Sequence, residues 1–303
     1  MIKRIAGEAW VVLGVLVLTF LLLHLVPGDP VEVMLGESAT QSDRQALREE
    51  LGLNRPILEQ FGLYITKLAH GNLGYSIHTK QPIADLLASR VPATFQLAAL
   101  ALAIAVAVGL PLGIAAALHA GKWPDTMASF GSLCLSAMPH FMLGPILMLI
   151  FALALGWLPV SGMDARGSII LPAVTLGFGL AAILTRMTRA SLLEVLNEDY
   201  VRTARAKGLP ESQVIMRHAL RNALLPIVTV IGLQLGSLLA GTVVTETVFS
   251  WNGVGSLLVE SIEKRDYPVT QACVLVIALV YVTVNTLTDM AYSALDPRVK
   301  FLG

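Results

Sequence analysis

Six histidines, at positions 24, 70, 78, 119, 140 and 218, and two cysteines, Cys134 and Cys273, are the residues best suited to hold a metal or act as nucleophiles. They are scattered along the chain. No HExxH, CxxC or GxSxG sets them at the spacing that a zinc site, a redox pair or a nucleophile elbow requires. No GxxxxGK[ST] loop offers a backbone cradle for a nucleotide phosphate. Both cysteines sit inside apolar stretches and read as packing residues. Two acids, Glu246 and Asp289, fall at the ends of apolar stretches, where water can reach them. Acids deeper in such stretches would mark a proton or ion path. The expectation is a chain with no catalytic residue, no metal site and no bound cofactor.

Two patterns suit binding and movement better than catalysis. One is a charged loop reading Asn197-Glu198-Asp199-Tyr200-Val201-Arg202-Thr203-Ala204-Arg205-Ala206-Lys207-Gly208-Leu209-Pro210. Glu198 or Asp199 can open a helix here, Arg205 and Lys207 suit its last turn, Gly208 supplies a left-handed end, and Pro210 blocks continuation. A helix of about two turns follows, exposed and basic at one end. By itself it is a surface turn or a docking element. The other pattern is small residues four apart: Gly109 with Gly113, and Gly232 with Gly236 and Ala240. Such faces let helix backbones approach closely in lipid. They pack helices within one subunit, or they line a path or meet another subunit. Thr229, Gly232, Gly236 and Ser237 form the most polar seam of this kind, and Gln234 points elsewhere on ideal helical spacing.

The rest of the chain must hold these patterns in a membrane. Of 303 residues, 55% are hydrophobic and 14% charged, against about 25% charged in a soluble domain. Charge is absent from 9–27, 91–121, 126–163, 167–185, 222–245 and 267–288, and about 20 apolar residues cross a bilayer as a helix. Six spans are drawn at 9–27, 94–119, 127–155, 169–188, 224–246 and 269–291. Pro139 and Pro145 are expected to kink the third, and Trp157 marks its exit at the interface. The first run is longer than a signal-peptide core and lacks a small-x-small cleavage site, so it reads as an uncleaved span. Counted over the short loops, twelve Lys/Arg lie on the side of the termini and the 186–223 loop, against three on the other. This places both termini in the cytoplasm. The long 28–93 segment reads as helical: a capping box at Ser42-Asp43-Arg44-Gln45 opens a helix ending near Gly52, a second follows Asn54 and Pro56, and Pro82 starts a third. These helices are expected on the outer face of the bundle or in its interface.

With these residues in view, the chain resembles the permease subunits of binding-protein-dependent ABC importers, and in detail their peptide-and-nickel group. Arg202-Thr203-Ala204 stands where the general EAA-loop consensus has Glu-Ala-Ala, followed by three residues and Gly208. His218-Ala219-Leu220-Arg221 departs from the general Ile-x-Leu-Pro but is typical of the peptide-type variant, as is the run to Pro226. Further similar motifs are Pro27-Gly28-Asp29-Pro30, Leu51-Gly52-Leu53 with Pro56, Gly74 with Ser76, and Arg90-Val91-Pro92-Ala93-Thr94. Later in the chain come Gly156-Trp157-Leu158-Pro159, Glu246 with Val248-Phe249, Arg265-Asp266-Tyr267-Pro268 and Asp296-Pro297-Arg298. Trp251-Asn252-Gly253 replaces the group's Trp-Pro-Gly, so that outer loop is expected to differ in shape.

The resemblance implies an all-α polytopic membrane protein of six transmembrane helices, a type I ABC importer-like transmembrane domain with a long outer loop between helices 1 and 2. Its parts would be a first transmembrane helix at 1–27, a periplasmic or extracellular helical loop at 28–93, a five-helix permease core at 94–291 containing a cytoplasmic coupling loop at 190–222, and a cytoplasmic tail at 292–303. Asp199, Tyr200, Arg202, Thr203, Ala204, Arg205, Ala206, Lys207, Gly208 and Leu209 would dock an ATPase subunit. The implied partners are a second homologous permease, two cytosolic ATP-binding subunits that carry ATP and Mg, an extracytoplasmic solute-binding protein and membrane lipid, with no nucleic acid. The implied place is the bacterial inner membrane. The implied cargo is a di- or oligopeptide or glutathione, with nickel or another small solute as the alternative. No His/Cys/Met cluster at ligand spacing appears in the spans, which favours a peptide. A proton- or sodium-coupled carrier is the competing class. It needs charges at the membrane midplane, and the acids at span ends speak against it.

Overall fold

The charge-free runs are helical in the computed structural model, which describes residues 2–25, 30–36 and 39–295. Lipid offers no partner to a bare N–H or C=O, so an apolar chain within it must satisfy its backbone internally, and a helix does so segment by segment. Among the described residues the only β-pairing is one isolated bridge, Tyr75 with Pro82. The elements are α1 (Ile2–Leu25), α2 (Pro30–Leu35), α3 (Gln41–Leu51), α4 (Ile57–Ala69), α5 (Ile83–Leu118), α6 (Trp123–Ala137) and α7 (His140–Leu147) with a π-helical run, Met148–Ala154. There follow α8 (Ile170–Leu196), α9 (Asp199–Ala206), α10 (Glu211–Gln213) with a second π-helical run, Val214–Ala219, then α11 (Leu220–Val248), α12 (Val254–Glu263) and α13 (Tyr267–Leu295). Among the described residues, Ile83–Leu118, Ile170–Leu196, Glu211–Gly236 and Tyr267–Thr288 are long and apolar enough to cross a membrane. A bent pair, Trp123–Ala137 with Met142–Ala154, makes a fifth if it counts as one span, and α1 contributes a shorter apolar helix, Trp10–Leu21.

The chain divides into two units. One comprises Met1–Thr94 and Asn252–Val282. Here α3 starts two residues earlier than the expected cap: Thr40 Oγ1 accepts from the Asp43 N–H at 3.3 Å while the Asp43 carboxylate accepts from the Thr40 N–H at 3.2 Å. Thr40 and Ser42 each have a partner three residues on, Asp43 and Gln45, and the structure forms the pair at Thr40. α3 ends on Gly52 at φ 69°. On α4, Phe61 and Tyr64 pack against Phe20 of α1, with ring centroids 5.2 and 5.8 Å apart. The helix expected after Pro82 is no separate element but the first turns of α5, which runs unbroken for 36 residues. α12 was not anticipated. Val254, Leu257 and Ser261 are its buried stripe, and Val254 and Leu257 join Ile83, Leu87, Val269 and Cys273 in one core.

The other unit comprises Phe95–Trp251 and Thr283–Gly303, and α8 is its centre, touching α6, α7, α9 and α11. α5 also lies along α8. A Cβ added to Gly109 would stand 2.8 Å from Leu184 Cβ, and one added to Gly113 would stand 2.5 Å from Thr188 Cβ. Ala101, Ala105 and Ala117 continue that buried four-residue repeat on α5, and Gly177 of α8 answers it, since a Cβ added there would stand 2.7 Å from the Ala101 carbonyl oxygen. Of the two readings of the Gly109–Gly113 face, the structure adopts packing within the chain. The expected kink at Pro139 is a full break: α6 and the following segment meet at 114°. Pro139 leaves the preceding residue extended, with Met138 at ψ 127°, as proline requires of its neighbour.

Candidate functional site

The eight residues of α9 are too few to hold a helix alone in water. Burial holds them. Val201 is fully buried and Ala204 nearly so, three positions apart on one face. They enter a cluster with Ala117, Leu192, Val214, Ala219 and Ala223, drawn from α5, α8, the second π-helical run and α11. Asp199, Tyr200, Arg202, Thr203, Arg205, Ala206, Lys207 and Gly208 remain exposed. Leu209 is half-buried against the same cluster. The predicted docking residues thus fall on one short element, but Ala204 faces inward as an anchor.

Both ends of α9 are fastened. Gly208 sits at φ +75° with its N–H donating to the Arg205 carbonyl at 3.0 Å, and Lys207 N–H donates to Thr203 at 3.1 Å. Arg205 Nη2 donates to Glu211 Oε1 at 2.7 Å and its Nε to Oε2 at 3.2 Å. The guanidinium holds the Glu211 carboxyl below its usual range, and the carboxylate raises Arg205 in turn. Asn222 Nδ2 donates to the Tyr200 hydroxyl at 2.7 Å, tying α9 to the first turn of α11. Between them runs the π-helical segment Val214–Ala219. Its wider turn lets Val214 and Ala219, five apart, both point into the cluster. No sequence feature announced it.

A second fastening escaped the sequence reading. Asp125, 5% exposed in the first turn of α6, receives both Arg189 Nε and Arg189 Nη2 from α8, the latter at 2.8 Å. Gly121 N–H at 2.9 Å and Ser129 Oγ at 3.3 Å complete its shell. A lone acid opening a helix next to an arginine-bearing helix was the available signal.

On the α11 seam, Gly232 packs within the chain: a Cβ there would lie 1.8 Å from Thr288 Cγ2 of α13. Helical spacing identifies a face as small but not which neighbour uses it. Gly236 is buried, and Thr229 is half-buried with its hydroxyl donating to Leu225 O at 3.1 Å on its own helix. The Ser237 side chain lies outside the described residues. Glu246 is corrected: it does not reach water but is fully buried, with Thr242 and Thr245 beside it on α11. The helix continues to Val248, and Trp251 N–H folds back onto the Glu246 carbonyl at 2.8 Å, so the apparent end is interior. Asp289, too, has a side chain outside the described residues, as do the motifs at 26–29 and 296–298.

Two distant motif pairs meet in the first unit. Ser76 Oγ donates to Asp266 at 2.5 Å, with Ile77 N–H at 3.3 Å on the other carboxylate oxygen. The Thr94 hydroxyl accepts the Val254 N–H at 2.9 Å and so caps α12. Among the described residues no three His, Cys, Asp or Glu side chains gather as a metal site would require.

Comparison with known proteins follows this geometry closely. Residues 109–301 match the model of the family described as binding-protein-dependent transport system inner membrane component, and residues 1–98 match its N-terminal companion. The glutathione transport system permease protein GsiC of Pectobacterium atrosepticum is 45% identical over 300 residues, covering 99% of this chain and 98% of its own. GsiC of Escherichia coli K12 is 42% identical over the same span. In fold, the chain is similar to one from the inward-facing MetNI methionine ABC transporter, with TM-score 0.61, 18% identity, and coverage of 71% of this chain and 99% of that one. An amino acid ABC transporter chain gives TM-score 0.57 at 15% identity, covering 70% and 94%. From its first residues to its last helix, the chain belongs to the family of binding-protein-dependent transport system inner membrane components.

Proposed function

We propose that this chain is one permease subunit of an ABC importer, forming half of the translocation path for glutathione or a related small peptide. It is a non-catalytic subunit: ATP, with Mg, is bound and hydrolysed by two separate cytosolic subunits. A second, homologous permease completes the path, and an extracytoplasmic binding protein delivers the cargo. The chain resides in the bacterial inner membrane with six spans and both termini in the cytoplasm, an orientation supported by the lysine and arginine excess on that side.

The observation that carries this reading is α9. A helix with two residues anchored in the core and a charged outer rim is built to receive a partner and pass on its movement. Val201 and Ala204 share one buried cluster with Leu192 of α8 and Ala223 of α11, so a push on α9 bears on the packing of both long helices. That buried cluster thereby links an exposed platform to the long apolar helices. Relatives named for glutathione transport favour the tripeptide over nickel as cargo. The test is uptake in proteoliposomes holding this chain, its partner permease and the ATP-binding subunits, with the binding protein outside. Glutathione should accumulate only with internal ATP. Accumulation driven by a proton or sodium gradient alone would overturn the importer reading. Retention of a different solute by the binding protein would overturn the cargo.

A further inference from the structure

We propose that the first unit binds an anionic membrane lipid in a cavity of about 610 Å³ framed by α1, α3, α4, the 72–80 segment and the start of α13. A cavity of this size suits one small molecule or a lipid headgroup with the upper part of a chain. Its lining has two characters. Phe20 of α1 and Leu275 of α13 supply apolar wall from two helices that are themselves apolar. Arg55, Lys67 and Lys80 supply three cations against one carboxylate, Glu49. Among the described residues none of the three cations has an ion-pair partner. Glu49 already accepts a hydrogen bond from Gln45 Nε2 at 3.3 Å. The site therefore presents unmatched positive charge beside an apolar surface, the complement of an acidic headgroup joined to an acyl chain.

The flank of the cavity agrees. On α4, which forms one wall, Ile57 is 50% and Leu58 81% exposed. A helix that packs a half-buried Phe61 and Tyr64 against Phe20 and leaves Ile57 and Leu58 outward, with Lys67 near its end, has the distribution of one lying in a membrane interface. The cavity then lies within reach of lipid rather than of bulk solution alone. This assignment is independent of what the chain transports.

The experiment uses the full chain, purified in mild detergent, stripped of lipid and examined by native mass spectrometry. Phosphatidylglycerol is titrated against phosphatidylcholine of the same acyl composition. Phosphatidylglycerol should be retained at least tenfold more strongly. Each cation removed should lower that retention about fivefold, so Arg55→Glu with Lys67→Glu should abolish the preference, while Lys67→Arg should keep it. Retention of the preference in Lys67→Arg distinguishes loss of charge from loss of fold. Equal retention of the two lipids by the wild-type chain would overturn the proposal. So would displacement of phosphatidylglycerol by inorganic phosphate or glutathione at equimolar concentration, because the cavity would then take a soluble anion.

Discussion

Gly208→Ala isolates the cost of the left-handed turn that ends α9. At φ +75° an added Cβ meets nothing within 4 Å, so the substitution introduces no clash, and its whole effect is backbone strain. That strain is about 1–2 kcal/mol for an L-residue forced into this region, and about 3 kcal/mol marks its upper range, which a β-branched valine approaches. The comparison that matters is with what holds α9 down. Burying Val201 contributes roughly 1.5–3 kcal/mol, and Ala204 adds less. A penalty of the same order as the anchor should raise the population with α9 released about 5–30-fold. The assay is hydrogen exchange of the 199–208 amides in the assembled importer, with uptake and ATP hydrolysis measured in parallel. Gly208→Ala should speed exchange at Lys207 and Gly208 and lower the uptake obtained per ATP, at unchanged membrane abundance. Gly208→Asn, which tolerates this conformation better, should fall between Ala and wild type. Gly208→Val should be the most severely uncoupled. Unchanged exchange and coupling in both Ala and Val variants would show that the loop is a passive connector.

The packing of α5 on α8 predicts that Gly113→Ala, with its Cβ 2.5 Å from Thr188 Cβ, destabilises the purified chain by about 1–3 kcal/mol. Gly131→Ala on α6, with open space around it, should instead be neutral or slightly stabilising; thermal melting in detergent compares the two. Removing the charge of Asp125 leaves Arg189 without its carboxylate, so Asp125→Asn should lower the melting midpoint by several degrees, and exchanging the pair as Asp125→Arg with Arg189→Asp should recover part of the loss. Glu211 is depressed by its hydrogen bonds to Arg205, so this pairing stabilises the end of α9 above the usual glutamate range and is lost as pH falls through the lowered value. Exchange at Lys207 and Gly208 should therefore stay flat from pH 7 to about 5 after correction for intrinsic rates and rise only under stronger acid, a rise that Glu211→Gln should abolish.

The parts of the fold that could be read in advance are those decided by local chemistry. Six residues of one short segment, from Glu198 to Pro210, agree on a helix with a stated start, end and left-handed turn, and α9 has that form. The charge-free runs became helices because lipid leaves the backbone no other choice. The cap of α3 was misplaced by two residues because Ser42 and Thr40 are equally able donors and acceptors. Only the acid at Asp43 selects between them. α12 was legible in principle: Val254, Leu257 and Ser261 mark one face, but at ten residues the run is too short to stand out as a span.

What sequence could not supply is which surface meets which. The repeat of Gly109 and Gly113 and the pair Gly232 and Gly236 are the same signal, a strip without side chains, and a strip of that kind accommodates any neighbour. In the structure Leu184 and Thr188 of α8 take the first and Thr288 of α13 takes Gly232. Both turn out to be places where helices of one chain come close. On the same helix Thr229 is half-buried, with its hydroxyl bonded within its own helix. Glu246 teaches the same lesson with a charge. A carboxylate near the end of an apolar run looks solvated when only spacing is known, yet Glu246 is fully buried, the helix runs two residues further, and the returning Trp251 amide bonds its main-chain carbonyl. Buried acids are costly unless satisfied, so this end of α11 must be shaped around Glu246 as a structural element, and a carrier mechanism that needs the residue to exchange protons with water finds no opening there.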